Sequence, residues 1–116
     1  MATADVMVIA HRGASSYAPE NTLAAFDLAL HMGCRHLELD VDFTRDGHIV
    51  VIHDETVDRT TNGTGPVGSH TLAELRALDA GSWFGPQFAG ERIPMFAEVL
   101  ERYHGRAHLH TEIKAQ

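Results

Sequence analysis

Three acidic side chains, Glu38, Asp40 and Asp42, alternate with apolar residues in the stretch HLELDVDF at 36–43. In a β-strand, successive side chains point to opposite faces, so the three carboxylates share one face. Neighbouring like charges repel, and burying a carboxylate without a partner is costly. The stretch therefore predicts either a face in contact with water, the commoner outcome for alternating acids, or a site for a positive ion.

Three further short motifs follow or end predicted strands: HRG at 11–13, HD at 53–54 and TEIK at 111–114. Ligands of parallel α/β folds bind at the carboxyl ends of the strands, where such motifs meet. Isolated histidines are most often surface or hydrogen-bonded residues, so each motif is weak by itself. Their common position at strand ends favours a functional site over a solvated acidic face.

Glu38 and Asp40 lie on one strand, and Glu112 ends the last predicted strand. Three carboxylates converging from two strands make an oxygen-only site suited to Ca²⁺ or Mg²⁺. The sequence thus predicts a divalent cation as the positive partner of these acids. Asp42, further along the strand, is left open as a ligand, an outer partner of the ligands or a solvated residue.

Alternating strands and helices must position these motifs. Apolar periodicity and turn residues predict right-handed crossovers between parallel strands. The predicted strands are 6–10, 36–43, 49–54 and 107–114, and the predicted helices are 22–32, 71–78 and 95–104. Asp46-Gly47 predicts a hairpin turn after the acidic strand.

Composition limits the classes of protein and partner. The chain has 116 residues, enough for one domain of ordinary size, and its net charge of −7 disfavours nucleic acid and anionic membranes. A single cysteine, Cys34, excludes an intramolecular disulfide. The first residues have no basic region, and their apolar run is five residues long. We therefore expect no signal peptide and no membrane span in this chain, and a cytoplasmic location.

The joint order HRG…PENT…ELD…HD…EIK is far more specific than any single motif. Through it the sequence closely resembles the glycerophosphodiester phosphodiesterases, whose fold is a TIM barrel. The resemblance runs from His11 to Lys114 and includes HRGASSYAPENTLAAF, ELDVDFTRDGHIVVIHDETVDRTTNGTG and GERIPMFAEVL. It implies an α/β fold in which residues 1–116 are the N-terminal portion of the barrel domain. That portion holds the first three or so parallel strands, a hairpin and a small helical insertion at approximately 54–94.

The resemblance also implies roles for individual residues. Glu38, Asp40 and Glu112 would hold the divalent cation, Ca²⁺ or Mg²⁺. His11 and His53 would be the general acid/base pair, and Arg12 and Lys114 would contact the phosphate oxygens. The implied reaction cleaves a small-molecule glycerophosphodiester to glycerol 3-phosphate and an alcohol. Cations offset the negative charge that makes a phosphodiester resist attack, and imidazole can transfer protons near neutral pH.

Three other groups of residues are interpreted with the family in view. In PENT, Asn21 is predicted to be a helix N-cap and Glu20 a partner of Arg12, so both are read as mainly structural. His108 and His110 share a strand face with Glu112, which suggests zinc. The resemblance argues against zinc, because His110 stands where the family commonly has Asn. Trp83 and Phe84 are predicted to pack the insertion.

A TIM barrel has eight strand–helix units in about 250 residues, and this chain supplies fewer than half. We expect weak activity or none from the 116-residue chain, and an open sheet edge that can self-associate. The alternative functions are a catalytically incompetent partial barrel that keeps metal or phosphate binding, and a related TIM-barrel phospholipase that forms a cyclic phosphate. Water and an internal substrate hydroxyl both remain open as the nucleophile.

Overall fold

The computed structural model describes residues 8–113. Lys114 and the start of the first predicted strand, residues 6–7, lie outside that range. The four strands are β1 (Ile9–His11), β2 (His36–Phe43), β3 (Ile49–Val51) and β4 (His108–Ile113). The three α-helices are α1 (Leu23–His31), α2 (Leu72–Arg76) and α3 (Phe96–Tyr103). Two short 3₁₀ turns, Val67–Ser69 and Pro86–Phe88, interrupt the long connection between β3 and α3.

Strand β2 is the centre of the sheet. It pairs in parallel with β1, where His11 lies opposite Glu38, and with β4, where Asp40 lies opposite Glu112. Its last residues pair antiparallel with β3, with Val41 opposite Val51. The described residues thus form three parallel strands and one hairpin. The predicted α/β fold, a partial TIM barrel, is confirmed.

The two faces of β2 have opposite character, as the alternation predicts. Leu37, Leu39 and Val41 are buried against α1 and α3, in a core that also contains Phe26 and Tyr103. Burying each such side chain contributes roughly 1.5–3 kcal/mol. The opposite face carries the acids, of which Asp40 and Asp42 are buried and Glu38 is half-buried. The alternation also places Phe43 on the apolar face, but its side chain is 44% exposed and lies outside the core.

The predicted cap of α1 is off by one residue. Thr22, not Asn21, is the N-cap: its Oγ accepts a hydrogen bond from the Ala25 amide at 3.2 Å. Asn21 precedes the cap in a left-handed backbone conformation, with φ of 58°. Few residues other than glycine adopt this conformation, and asparagine is among those that tolerate it. It leaves the Asn21 side chain free to act elsewhere.

The connection between β3 and α3 has an apolar core of its own. Buried residues from the hairpin and from the predicted insertion form it: Val50, Ile52, Val57, Val67, Leu75, Ala80 and Ile93. Trp83, Phe84 and Phe88 follow in edge-to-face contact, with ring centres 5.6 and 5.7 Å apart. The aromatic side chains therefore pack together within the insertion, as predicted.

Two predicted elements are shorter in the structure. β3 ends at Val51, so His53 and Asp54 belong to the loop after it and not to the strand. Helix α2 covers only Leu72–Arg76, although its predicted capping box is present between Thr71 and Glu74. Among the described residues, every helix is too short or too polar to cross a membrane.

Candidate active site

The structure brings Glu38 and Asp40, in the middle of β2, together with Glu112, near the end of β4. One carboxylate oxygen from each lies within 4.8 Å of the others. Asp40 is 2% exposed and Glu38 is half-buried, whereas Glu112 faces solvent. We call this group the carboxylate triad. It exists because β2 and β4 pair in parallel with Asp40 opposite Glu112, which places their side chains on one face.

Two residues from the loop after β1 contact the buried member of the triad. The Asn21 carboxamide donates to Asp40 Oδ2 at 3.1 Å, and Arg12 Nε lies 3.6 Å from the same oxygen. Arg12 also donates its backbone amide to Glu38 Oε1 at 3.1 Å. One guanidinium thus offers a single positive charge beside three carboxylates. Within residues 8–113, the buried Arg12 Nε has no hydrogen-bond acceptor.

The donor set of the triad fits a hard divalent cation. The three oxygens lie within 4.8 Å of one another, which is about the largest separation possible between two oxygens bound to one Ca²⁺ at about 2.4 Å. All three donors are carboxylates, the ligand type that Ca²⁺ and Mg²⁺ prefer over softer metals. Their role as ligands stays a prediction, but the geometry needed for it is present.

The two predicted acid/base histidines lie in different surroundings. His11 ends β1 and is exposed, and its Nε2 atom lies 3.7 Å from Glu38 Oε1. His53 is about one-third exposed and donates from Nδ1 to Asp54 Oδ1 at 2.8 Å. An ionised carboxylate only accepts hydrogen bonds, so this contact requires the proton of the neutral ring to be on Nδ1. The Nε2 atom of His53 is then the one available to a substrate.

A second group of charges surrounds His53. Arg59 donates Nε to Asp54 Oδ2 at 2.9 Å and Nη2 to Asp54 Oδ1 at 3.0 Å. On its other side it donates Nη1 and Nη2 to Glu20 at 3.0 and 2.8 Å. The hydrogen bonds from Arg59 hold the pKa of the Asp54 carboxyl well below its ordinary value, against the opposing effect of burial. We call His53, Asp54, Arg59 and Glu20 the arginine-bridged network.

Glu20, His53 and Asp54 also have donor atoms close enough to share a metal ion. Here the position between the carboxylates already has a cation, because Arg59 makes two-point contacts with both. The predicted contact between Glu20 and Arg12 is present as well, at 3.4 Å. Glu20 therefore accepts hydrogen bonds from two arginines.

Three histidines occupy the other end of the acidic face. The His36 and His108 rings stack with centres 4.8 Å apart, and His36 Nδ1 lies 3.1 Å from His110 Nε2. Partial burial, and then the charges of the other two rings, lower the pKa of His36. The His36 and His110 rings are tilted by 40°, and the prediction against zinc at these histidines stays a prediction. His36 is half-buried in this stack.

Sequence reasoning missed two residues of the site. The sequence predicts no role for Arg59, and it predicts Asn21 to be a helix N-cap. The DR pair at 58–59 carries no spacing that predicts a partner 39 positions away, which is the separation of Arg59 and Glu20. The left-handed φ values of Arg12 and Asn21, 59° and 58°, are likewise set by the loop that joins β1 to α1.

Comparison with known proteins gives a consistent result. The sequence model of the glycerophosphoryl diester phosphodiesterase family matches residues 11–116. A glycerophosphodiester phosphodiesterase of Caldanaerobacter subterraneus is 62% identical over 95 residues, which are 82% of this chain and 39% of that protein. Both results rest on the sequence alone.

Solved structures agree with them. The crystal structure of a glycerophosphodiester phosphodiesterase from Agrobacterium tumefaciens has a TM-score of 0.93 and 51% identity, over 95% of this chain and 48% of that one. An Oleispira antarctica phosphodiesterase, in complex with its product sn-glycerol-3-phosphate, has a TM-score of 0.90 and 44% identity, over 94% and 44%. This chain spans less than half the length of each of these relatives.

Proposed function

The chain belongs to the glycerophosphoryl diester phosphodiesterase family, and from that premise we propose that it carries the catalytic residues of a metal-dependent glycerophosphodiester phosphodiesterase. The reaction would release glycerol 3-phosphate and an alcohol from a small glycerophosphodiester. The observation that supports this best is the carboxylate triad, whose oxygens from two strands lie within 4.8 Å of one another beside Arg12 and His11.

The triad is difficult to explain as a purely structural feature. Asp40 is almost fully buried, and one arginine cannot offset three carboxylates. A divalent cation would relieve the repulsion and, when bound, would neutralise charge on the phosphate. Either Ca²⁺ or Mg²⁺ fits the oxygen donors, so the ion is proposed only by class.

The surrounding residues would bind the phosphate and move protons. Arg12 is positively charged beside the triad and would bind phosphate oxygens. Lys114 is proposed as the second residue that binds the phosphate. His11 and His53 would act as the acid/base pair: one accepts the proton of the attacking hydroxyl, and the other protonates the leaving alkoxide. His53 would use Nε2, since Asp54 holds its Nδ1 proton.

The test is turnover of glycerophosphocholine by the full chain with Mg²⁺ or Ca²⁺, followed by phosphorus NMR. Cation binding is measured separately by calorimetry. We expect slow, metal-dependent release of glycerol 3-phosphate that is abolished in Glu38→Gln and in His53→Ala. Glu101→Gln and His104→Ala are matched controls, because both residues are exposed and lie outside the site.

Each other outcome decides against part of the proposal. Cation binding without turnover under any condition would support a binding-only domain instead. Accumulation of a cyclic phosphate would support the phospholipase-type reaction. Absence of both cation binding and turnover would refute the assignment of the triad.

A further inference from the structure

Arg59 lies between the partners of two proposed catalytic residues. Its guanidinium makes four hydrogen bonds of 2.8–3.0 Å, two to Asp54 and two to Glu20. Asp54 accepts the Nδ1 proton of His53 at 2.8 Å. Glu20 accepts from Arg12 at 3.4 Å. A continuous set of charged contacts therefore joins the loop after β3 to the loop after β1.

We propose that Arg59 is a positioning residue: it fixes Asp54 against His53 on one side and Glu20 against Arg12 on the other. The importance of this role for catalysis rests on the proposed phosphodiesterase function. The effect of Arg59 on the orientation of His53 can be measured without substrate.

Only a guanidinium can make this bridge. Its planar fork donates to both oxygens of a carboxylate at once, and Arg59 uses two edges for two carboxylates. Without it, Glu20 and Asp54 would be two anions near each other with no shared cation. Lysine would supply the charge as a single point and could not hold both groups in the same orientation.

The immediate consequence concerns the tautomer of His53. In a neutral imidazole one nitrogen donates and the other accepts, and the hydrogen bond of one decides the role of the other. Asp54 Oδ1 is shared between His53 Nδ1 and Arg59 Nη2, at 2.8 and 3.0 Å. Arg59 thus limits the rotation of the Asp54 carboxylate and holds the acceptor of the His53 Nδ1 proton in place.

This bridge differs from an ordinary surface ion pair. Exposed pairs are worth little because both side chains move freely. Glu20 is only 10% exposed and Asp54 27%, and the Arg59 guanidinium also lies 5.9 Å from the centre of the Trp83 ring. Trp83, from the same insertion, therefore contacts the arginine in addition to its two carboxylate partners.

The experiment is nitrogen-15 NMR of the His53 imidazole in the full chain, assigned with His53→Gln. It compares the wild type with Asp54→Asn, Arg59→Gln and Arg59→Lys. We expect Nδ1–H in the wild type, loss of that preference in Asp54→Asn, and Nδ1–H exchange with water about tenfold faster in both Arg59 variants, as befits one charge-assisted hydrogen bond.

Arg102→Gln is the matched control. Arg102 also makes a two-point contact with a carboxylate, that of Asp27, and is 46% exposed, as Arg59 is. Its loss should leave the His53 signals unchanged. Circular dichroism and the melting temperature of every variant show whether a change reflects unfolding, and Arg59→Lys keeps the test open if Arg59→Gln does not fold.

Unchanged tautomer and exchange in both Arg59 variants would refute the positioning role, and so would an equal effect of Arg102→Gln. A wild type with Nε2–H would refute the His53–Asp54 contact itself. Because the NMR measurement needs no substrate, its failure is separate from absence of turnover, which bears on the proposed function alone.

Discussion

The carboxylate triad and the arginine-bridged network are neighbouring groups of acids with different charge compensation. In the network, Glu20 and Asp54 share one guanidinium through four short hydrogen bonds. In the triad, the ion-pair contacts among the described residues are longer: Arg12 Nε lies 3.6 Å from Asp40 and has no hydrogen bond, and His11 Nε2 lies 3.7 Å from Glu38. The network is therefore satisfied by the protein itself, whereas the triad has more negative charge than its neighbours offset.

The two clusters are distinguished by whether an arginine already compensates their negative charge. A cluster with a bidentate arginine at its centre needs no further cation, although its atoms are as close as those of a metal site. In a cluster with a nearly buried carboxylate and too few positive neighbours, a bound cation would lower the electrostatic free energy. Distance alone does not separate the two cases, because both groups meet the same 4.8 Å limit.

The largest expected effect is on cation affinity. Asp40→Asn should weaken Ca²⁺ or Mg²⁺ binding by about 100-fold or more, because it removes the buried charged ligand. Calorimetric titration measures the affinity. Asp54→Asn, the same change in the network, should alter it by less than about twofold. Equal losses in the two variants would erase the distinction between the clusters.

The next effect is on stability. Arg59→Gln should lower the free energy of unfolding by about 1 kcal/mol, since two carboxylates lose a shared partner that is itself partly exposed. Urea unfolding measures this value. In the triad, Glu38→Gln should leave the stability of the metal-free protein equal or raise it, because one of three like charges is removed. A loss in that variant would show that Glu38 is already well compensated.

A smaller effect concerns acid pH. Arg59 holds the Asp54 pKa below its ordinary value of 3.8, so Asp54 stays ionised in the folded protein at pH values that protonate it when unfolded. Its contribution is complete above about pH 5 and is lost as the pH falls through and below 3.8. The stability difference between the wild type and Asp54→Asn, measured in urea, should shrink over that range. A difference that is constant with pH would contradict the contact.

The smallest effect is expected in the histidine stack. His110→Asn should change the free energy of unfolding by no more than about 0.5 kcal/mol, because asparagine can replace one partly buried hydrogen bond. Cation affinity should stay within about twofold of the wild type. His104→Asn on the exposed end of α3 is the control. A large loss of affinity would extend the cation site toward His110.

Local patterns predicted most of the fold. The alternation in 36–43 predicted β2 to the residue, and Thr71 and Glu74 predicted a capping box that is present. Boundaries failed where tertiary contacts decide them: β3 ends at Val51, and Phe43 has no partner in the core. A period of two shows which residues share a face, but it does not show where that face ceases to be covered.

The amino-acid sequence alone was enough to indicate the family, the alternating faces of β2 and the acids that could bind a cation, since these depend on residue type and short-range spacing. Which acids are already paired with an arginine is determined by tertiary contacts. Arg59 contacts Glu20, which lies 39 positions away in the sequence. Asn21, which precedes the helix cap, donates a hydrogen bond to Asp40. Such pairings depend on how loops from separate strands meet in space, and no local period encodes that.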